Sequence, residues 1–163
     1  MNAFATGAMR ALTLRLDDEV FAIEAERVRE ILDLVPVTEV PKAPAFVGGL
    51  VNVRGRVVPL ADLRIVFGMT CRPADEDTRI VVLETEIEGE ATVVGIIADK
   101  VHEVTDIEAS SVESAPRVGM RWRPDFVAAI GKRNGDFIII PDLGRIFEIE
   151  GGRSGPVASE RAA

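Results

Sequence analysis

Short runs of apolar residues, many of them β-branched, alternate along this chain with clusters of Gly, Pro, Asp and Asn. Runs of this length, bounded by turn-forming residues, are typical of β-strands. The pattern therefore predicts ten strands, about five in each half of the chain: Ala11–Leu16, Val20–Ile23, Val28–Leu32, Leu50–Val53, Arg56–Leu60, Ile80–Glu84, Thr92–Ile97, Val101–Thr105, Val127–Ile130 and Phe137–Ile140.

Helical signals are weak, because no long segment repeats its apolar residues with the period of an α-helix. Two short helices are predicted, at Asp62–Phe67 and Asp142–Phe147, since each starts with an Asp that can cap a helix just after a strand containing proline. Two hairpin turns are predicted at Arg54–Gly55 and Asn134–Gly135, where Gly accepts a positive φ without a Cβ clash.

The chain also contains an internal repeat. Val20–Ile31 aligns with Val93–Val104 at a shift of 73 residues, and Pro44–Phe67 aligns with Pro124–Phe147 at a shift of 80 residues. The second copy therefore carries seven extra residues, which we place between residues 105 and 123. A unit of about 60 residues written twice indicates two paired modules rather than a stacked array of short repeats.

The apolar runs indicate which faces of the strands are buried in each module. Ile80–Leu83 and Ile138–Ile140 are continuously apolar, as in strands buried on both faces. Short strands, tight hairpins and one helical turn fit a small five-stranded barrel, which removes its own sheet edges. A module of this size is at the lower limit of what folds alone, so we predict an all-β chain of two barrels sharing a hydrophobic core. The residues expected where the barrels meet are Pro44, Phe46, Pro124 and Phe126.

The composition of the chain argues against some classes of binding partner. The formal net charge is −8 and the pI is near 4.8, which argues against nucleic acid and anionic membranes. No apolar run is long enough to span a membrane, so we expect a cytoplasmic protein without direct membrane insertion. The single cysteine, Cys71, fits a reducing compartment. The tail at 151–163 lacks large apolar residues and is predicted to be flexible.

Residues that could carry catalysis or hold a metal are scarce. The single histidine, His102, takes the place of Arg29 in the other copy and is expected to face solvent. With Cys71 it cannot supply the several ligands of a zinc or iron site. The repeat-matched carboxylates, which fit turn caps and solvent-facing positions better than one asymmetric site, are Glu30, Asp62, Glu103 and Asp142. We predict no catalytic site, metal or cofactor, with a small carboxylate-dependent hydrolase or isomerase as the enzymatic alternative.

The two copies differ most at their hairpins, which favours a role of the hairpins in recognition. The first displays Asn52, Arg54 and Arg56, whereas the second displays Lys132, Asn134 and Asp136. The guanidinium of Arg54 can bind carboxylates of a partner, or it can bind backbone carbonyls of its own barrel and lock the turn. The residues alone leave both interpretations open.

The segment Val47–Arg64, with its Asn-x-Arg-Gly turn, apolar strand, Pro and Asp-Leu-Arg, closely resembles the signature of CheW-like domains. These domains are the coupling proteins of bacterial chemotaxis. Phe21–Ile23, Val28–Ile31 and Gly95–Val101 resemble further segments of the family, and the resemblance covers Arg10 to Ile149.

The resemblance implies two five-stranded SH3-like barrels in one domain at 1–150, the first mainly at 11–70 and the second mainly at 78–149. It also implies an adaptor that couples the cytoplasmic tip of methyl-accepting receptors to the regulatory domain of a CheA-type histidine kinase, at receptor arrays on the inner membrane. An adaptor of a parallel pathway such as twitching motility is the alternative. Carried over by motif, the receptor- and kinase-binding residues are Val28, Glu30, Asn52, Arg54, Gly55 and Val101.

Overall fold

A computed structural model of the chain describes residues 7–114, 116 and 122–151. Within them the chain forms twelve strands and two one-turn helices: β1 (Ala8–Leu16), β2 (Glu19–Glu24), β3 (Val28–Asp33), β4 (Thr38–Glu39), β5 (Gly49–Val53), β6 (Arg56–Ala61), α1 (Leu63–Val66), β7 (Arg79–Ile87), β8 (Glu90–Ala98), β9 (Lys100–Glu108), β10 (Val112–Glu113), β11 (Val127–Arg133), β12 (Asp136–Pro141) and α2 (Leu143–Ile146). The predicted all-β class is confirmed. All ten predicted strands are present, and the two missed strands, β4 and β10, have two residues each.

Local signals in the sequence explain the helices and turns. The side chains of Asp62 and Asp142 accept hydrogen bonds from the first turns of α1 and α2, as predicted for N-caps. In the hairpin turns, φ is 53° and 83° at Arg54–Gly55 and 54° and 82° at Asn134–Gly135. These positive values fit the two-residue turns that join twisted antiparallel strands. The sequence therefore places both turns and both helices correctly.

The strands form two curled sheets of six strands each. Sheet A has the order β10-β11-β12-β2-β1-β9, and sheet B has the order β3-β7-β8-β6-β5-β4. The chain begins in sheet A, crosses at the 3₁₀ turn Ala25–Arg27, builds all of sheet B, and returns to sheet A after Asp99. Neighbours are antiparallel except for β2 beside β12 and β6 beside β8, which are parallel.

This connectivity corrects the expected assignment of 11–70 to one barrel and 78–149 to the other. Each copy of the repeat donates its first hairpin, β1–β2 or β7–β8, to the sheet built from the last strands of the other copy. The short connections between consecutive strands explain this exchange of hairpins. Only Asp99 separates β8 from β9, and one 3₁₀ turn separates β2 from β3. Because one residue is too short for even the two-residue loop of a tight hairpin, the chain runs on from β8 into the opposite sheet.

The core has three parts. A small cluster lies on each sheet, including Ala11, Ala22 and Ile138 on sheet A and Val51 and Ile80 on sheet B. A larger cluster draws residues from both sheets and contains Phe46 and Phe126. The prediction that the two barrels share a hydrophobic core is confirmed, and each copy contributes residues to it through the exchanged hairpins.

The length and polarity of the helices decide whether any of them could cross a membrane. In the described part of the chain, no helix is long and apolar enough to cross a membrane. Residues 152–163, most of the predicted flexible tail, lie outside the described residues, as do 117–121 within the segment that carries the seven extra residues.

Candidate functional site

Four of the six predicted binding residues meet at the β5–β6 hairpin, here called the first hairpin. The side-chain oxygen of Asn52 accepts a hydrogen bond of 2.8 Å from the backbone N–H of Gly55, which closes the turn. Arg54 Nε donates to the two carboxylate oxygens of Glu30 at 2.7 and 3.1 Å. Three strand positions separate the edge strand β3 from β6 in sheet B, so this contact between β3 and the β5–β6 turn shows that the sheet is strongly curled.

The Arg54 side chain is 80% exposed, whereas the Glu30 side chain is 20% exposed. The Nε–H of Arg54 therefore donates to a side-chain carboxylate of its own sheet. Among the described residues it does not donate to backbone carbonyls, which was one of the two interpretations that the sequence left open. An exposed pair of this kind contributes about 1 kcal/mol or less to folding. Most of the guanidinium faces solvent, where a partner's carboxylate can reach it.

Val28 and Val101 are half-buried and pack against the shared core from different sheets. Val28 on β3 is paired with Leu83, and Val101 on β9 is paired with Leu14, so the two valines occupy equivalent places in the two copies. Val28 lies on the same strand as Glu30, whereas Val101 belongs to the other sheet. Five of the six residues thus belong to sheet B, and four of these five meet at the first hairpin, whereas Val101 belongs to sheet A.

A second ion pair, missed from sequence, occupies the matching place in sheet A. Glu103, the repeat counterpart of Glu30, pairs with Arg133 at 3.7 Å beside the β11–β12 hairpin, here called the second hairpin. Arg133 precedes Asn134, which is the counterpart of Arg54. The alignment of Glu103 with Glu30 could have indicated this ion pair from the sequence. Arg133, however, is offset by one residue from the position that matches Arg54, so an alignment without gaps does not pair the two arginines.

A buried ion cluster was also missed. Arg64 is 5% exposed and donates to Asp62 at 2.9 and 2.8 Å and to Asp99 at 2.8 Å. The second oxygen of Asp99 accepts from the backbone N–H of Asp17 at 2.7 Å. Hydrogen bonding to Asp62, together with the charge of Asp99, raises the pKa of Arg64, so it stays cationic. The Asp62-Leu63-Arg64 motif was visible in the sequence, but its partner lies 35 residues away.

Exposed apolar side chains occur at repeat-matched places. Val57 is 70% exposed and its counterpart Phe137 is 63% exposed; each follows a hairpin turn. Ile31 and Val104 form a second matched pair, at 44% and 47%. Scattered exposed apolar residues are ordinary, but the same positions left uncovered in both copies indicate two related contact surfaces.

The remaining candidates for chemistry lie apart from one another. His102 is exposed on β9, and Cys71 is exposed between α1 and β7. Among the described residues no group of three or more His, Cys, Asp or Glu is placed to hold a metal ion. The buried carboxylate of Asp99 is engaged at both oxygens by Arg64 and Asp17. The arrangement offers surfaces for recognition at the hairpins and a structural ion cluster behind them.

Comparison with known proteins assigns the family. The model of the CheW-like domain family matches residues 10–150. The chain is 30% identical to the chemotaxis protein CheW of Klebsiella aerogenes, over 85% of this chain and 81% of that protein. It is 27% identical to the chemotaxis protein CheW of Rhizobium meliloti, over 88% of this chain and 90% of that protein.

A solved structure shows the same architecture. The crystal structure of the scaffolding protein TtCheW from Thermoanaerobacter tengcongensis superimposes with a TM-score of 0.76, at 33% identity, over 88% of this chain and 94% of that chain. The predicted fold of two SH3-like barrels with short helices is confirmed by this similarity. From the signature around the first hairpin, the near-complete family match and the shared architecture, it follows that this chain belongs to the CheW-like domain family.

Proposed function

We propose that this chain is a chemotaxis adaptor, a non-enzymatic protein that couples methyl-accepting receptors to a CheA-type histidine kinase. The observation that carries the proposal is the extent of the similarity. Relatives named chemotaxis protein CheW match along most of their own length, and so does a structure described as a scaffolding protein. The first hairpin, with its exposed Arg54, offers a surface suited to protein recognition rather than a catalytic cleft.

In this proposal the partner-binding residues are Val28, Glu30, Asn52, Arg54, Gly55 and Val101. Asn52 and Gly55 act by shaping the turn that holds Arg54 outward. Glu30 keeps the guanidinium above β3 and leaves most of it in solvent. A planar guanidinium held in this way can make paired hydrogen bonds to a carboxylate of a receptor or kinase, which gives both affinity and orientation.

The partner domains follow as finer proposals: the regulatory domain of the kinase and the cytoplasmic tip of the receptors, with the adaptor recruited from the cytoplasm to receptor arrays. The mechanism is positional. The adaptor holds kinase and receptor in a geometry that differs between signalling states. Its differential affinity for those states then shifts the activity of the kinase.

Titration calorimetry tests the proposal with the full chain and the isolated regulatory domains of the histidine kinases encoded in the same genome. A transient interface at or below the standard size of about 1,600 Å² should bind one of them with a Kd of roughly micromolar order. Binding to none of these domains at concentrations well above that range would overturn the proposed coupling role.

A further inference from the structure

The two exchanged hairpins match each other in register, so the charged residues on their first strands can be compared directly. Arg15 on β1 lies opposite Val20, and Glu84 on β7 lies opposite Val93. Val20 and Val93 are repeat counterparts. Arg15 and Glu84 therefore occupy the same position in the two copies, which carries a positive charge in sheet A and a negative charge in sheet B.

In sheet B the charge at this position is neutralised within the chain. Nη2 of Arg29, on the edge strand β3, lies 3.0 Å from Oε1 of Glu84. Arg27, which precedes β3, donates from Nε to Glu24 at 2.9 Å. Opposite charges on neighbouring strands stabilise a sheet. Both arginines at the start of β3 thus have a carboxylate partner.

In sheet A the same places carry positive or neutral groups. Lys100 and His102 are the repeat counterparts of Arg27 and Arg29, and Arg15 replaces the carboxylate. The register of β1 and β9 sets Arg15 directly opposite Lys100. Residues paired in this way share a face of the sheet, where like charges repel each other. Within the described ranges neither residue forms an ion pair, and neither does His102.

The guanidinium of Arg15 also has an unused donor. Its Nε is buried and has no hydrogen-bond partner in the part of the chain that the structure describes. A buried donor without an acceptor is uncommon and destabilising. The aspartates at the ends of the two strands, Asp17 after β1 and Asp99 before β9, are bound by Arg72 and Arg64. Neither carboxylate is therefore free to neutralise Arg15.

The remaining sequence offers little to complete the site. The residues outside the described ranges include one carboxylate side chain, that of Glu160. Lys100 and His102 are exposed, and β9 is an edge of sheet A, so a second protein can approach from this side. Groups that cost stability without an evident gain in folding are typical of functional sites.

We propose that Arg15 and Lys100 bind a carboxylate side chain in an acidic segment of a partner protein, at a site bordered by His102. The carboxylate would supply to these two cations the negative charge that Glu84 supplies to Arg29 in sheet B. It would accept charge-assisted hydrogen bonds from the guanidinium and the ammonium group, which are stronger than neutral ones. The site shares no residue with the six proposed for adaptor function, so either proposal can fail without the other.

Nuclear magnetic resonance tests the site with the ¹⁵N-labelled full chain and the capped tripeptide acetyl-Ala-Glu-Ala-amide. The Nε–H signal of Arg15 and the backbone amide signals of Arg15 and Lys100 should shift, with a Kd in roughly the millimolar range expected for a small exposed ligand. Acetyl-Ala-Gln-Ala-amide should bind at least about fivefold more weakly, because it lacks the charge. Equal affinities, or shifts confined to other regions, would overturn the proposal. Binding of inorganic phosphate without binding of the peptide would overturn the choice of a carboxylate.

Two neutral variants locate the binding. Arg15→Gln should weaken binding of acetyl-Ala-Glu-Ala-amide by about fivefold or more, because half of the positive charge is lost. Lys100→Gln, at an exposed position, should have a similar effect even if Arg15→Gln fails to fold. Arg10→Gln removes the same charge from an exposed position of β1 and is the matched control, with unchanged binding. Unchanged binding in Lys100→Gln would contradict the assigned location.

A charge reversal tests whether the pair is unneutralised in the free protein. Lys100→Glu places a carboxylate opposite Arg15, so it should abolish peptide binding and raise the Tm by about 1–4 °C. Lys42→Glu makes the same change at another exposed lysine and should not raise the Tm. A Tm of Lys100→Glu at or below that of the unaltered chain would contradict the proposal. In Glu160→Gln without peptide, the Nε–H signal of Arg15 should stay in place; a shift would show that the chain supplies its own carboxylate.

Discussion

The two hairpins share a backbone but not a surface. Both turns have nearly identical positive φ values, and each hairpin has an arginine paired with a repeat-matched glutamate. In the first hairpin, Arg54 binds Glu30 at 2.7 Å, whereas in the second, Arg133 approaches Glu103 at 3.7 Å. Glu30 is 20% exposed and Glu103 is 68% exposed. Duplication has thus preserved the scaffold of the hairpin, and its charged groups have diverged.

The one-turn helices show the same divergence inside the molecule. Arg64 in α1 reaches the chain crossing at Asp99 and ties it to Asp62. Its counterpart in α2 is Gly144, where a Cβ atom would come within 2.7 Å of the carbonyl oxygen of Glu86. One copy therefore anchors its helix through buried charges, and the other does so through close backbone packing. Equivalent positions have reached stability by different physical routes.

The largest effect is expected when the two halves of the chain are produced separately. Residues 1–67 expressed alone should not fold, because their β1–β2 hairpin belongs to sheet A and their remaining strands belong to sheet B. The unfolded fragment would expose apolar faces that the other copy covers. We expect poorly dispersed amide signals and no cooperative unfolding. Adding residues 68–163 should restore dispersion, whereas a cooperatively folding fragment would refute the exchanged hairpins as a requirement.

Removing the buried cation distinguishes α1 from α2. Arg64→Ala should lower the free energy of unfolding by about 3–5 kcal/mol, since it leaves the buried carboxylate of Asp99 uncompensated. The matched control is Arg145→Ala in α2, whose side chain is 53% exposed and whose loss should change the free energy of unfolding by about 0.5 kcal/mol or less. Urea unfolding measures both. Equal losses in the two variants would show that the buried cluster is not what anchors α1.

Receptor binding can be compared between variants of the first hairpin and variants of the second. Arg54→Ala should change the free energy of unfolding by about 1 kcal/mol or less, because the pair with Glu30 is exposed. Its receptor binding should weaken by roughly 2 kcal/mol or more if the guanidinium contacts a receptor carboxylate. Arg133→Ala is the control, with similar stability and nearly unchanged binding. A large loss of stability in Arg54→Ala would assign the residue a structural role, and unchanged binding would remove it from the proposed interface.

The smallest effect concerns the stability of the protein at acid pH and the ion pair between Arg72 and Asp17 in the β1–β2 turn. Hydrogen bonding from Arg72 holds the pKa of Asp17 below its ordinary value of 3.8. A carboxylate whose folded-state pKa is lowered stabilises the fold above its unfolded-state pKa, and this stabilisation is lost as the pH falls through the folded-state value. Arg72→Ala should therefore reduce the dependence of unfolding free energy on pH below about pH 4, and leave the slope at neutral pH unchanged. Urea unfolding across this range checks the sign; an unaltered acid slope would contradict it.

The sequence by itself determined the elements of this protein. Strands, helix caps and turns were predicted correctly because each depends on residues close together in the chain, such as Asp62 before α1 or Gly55 in its turn. The repeat and the family signature were likewise readable, since both are linear patterns. They were sufficient to identify two related barrels, a shared core and membership of the CheW-like family.

Tertiary structure alone decided which strands share a sheet and which side chains meet. Two copies with matching apolar patterns can pair their hairpins within a copy or exchange them in similar registers, so the pattern does not choose between the arrangements. The one-residue link at Asp99 and the packing of the shared core make that choice. The pairing of Arg64 with Asp99 and the approach of Glu30 to Arg54 are consequences of it, because each joins groups that are distant in the chain.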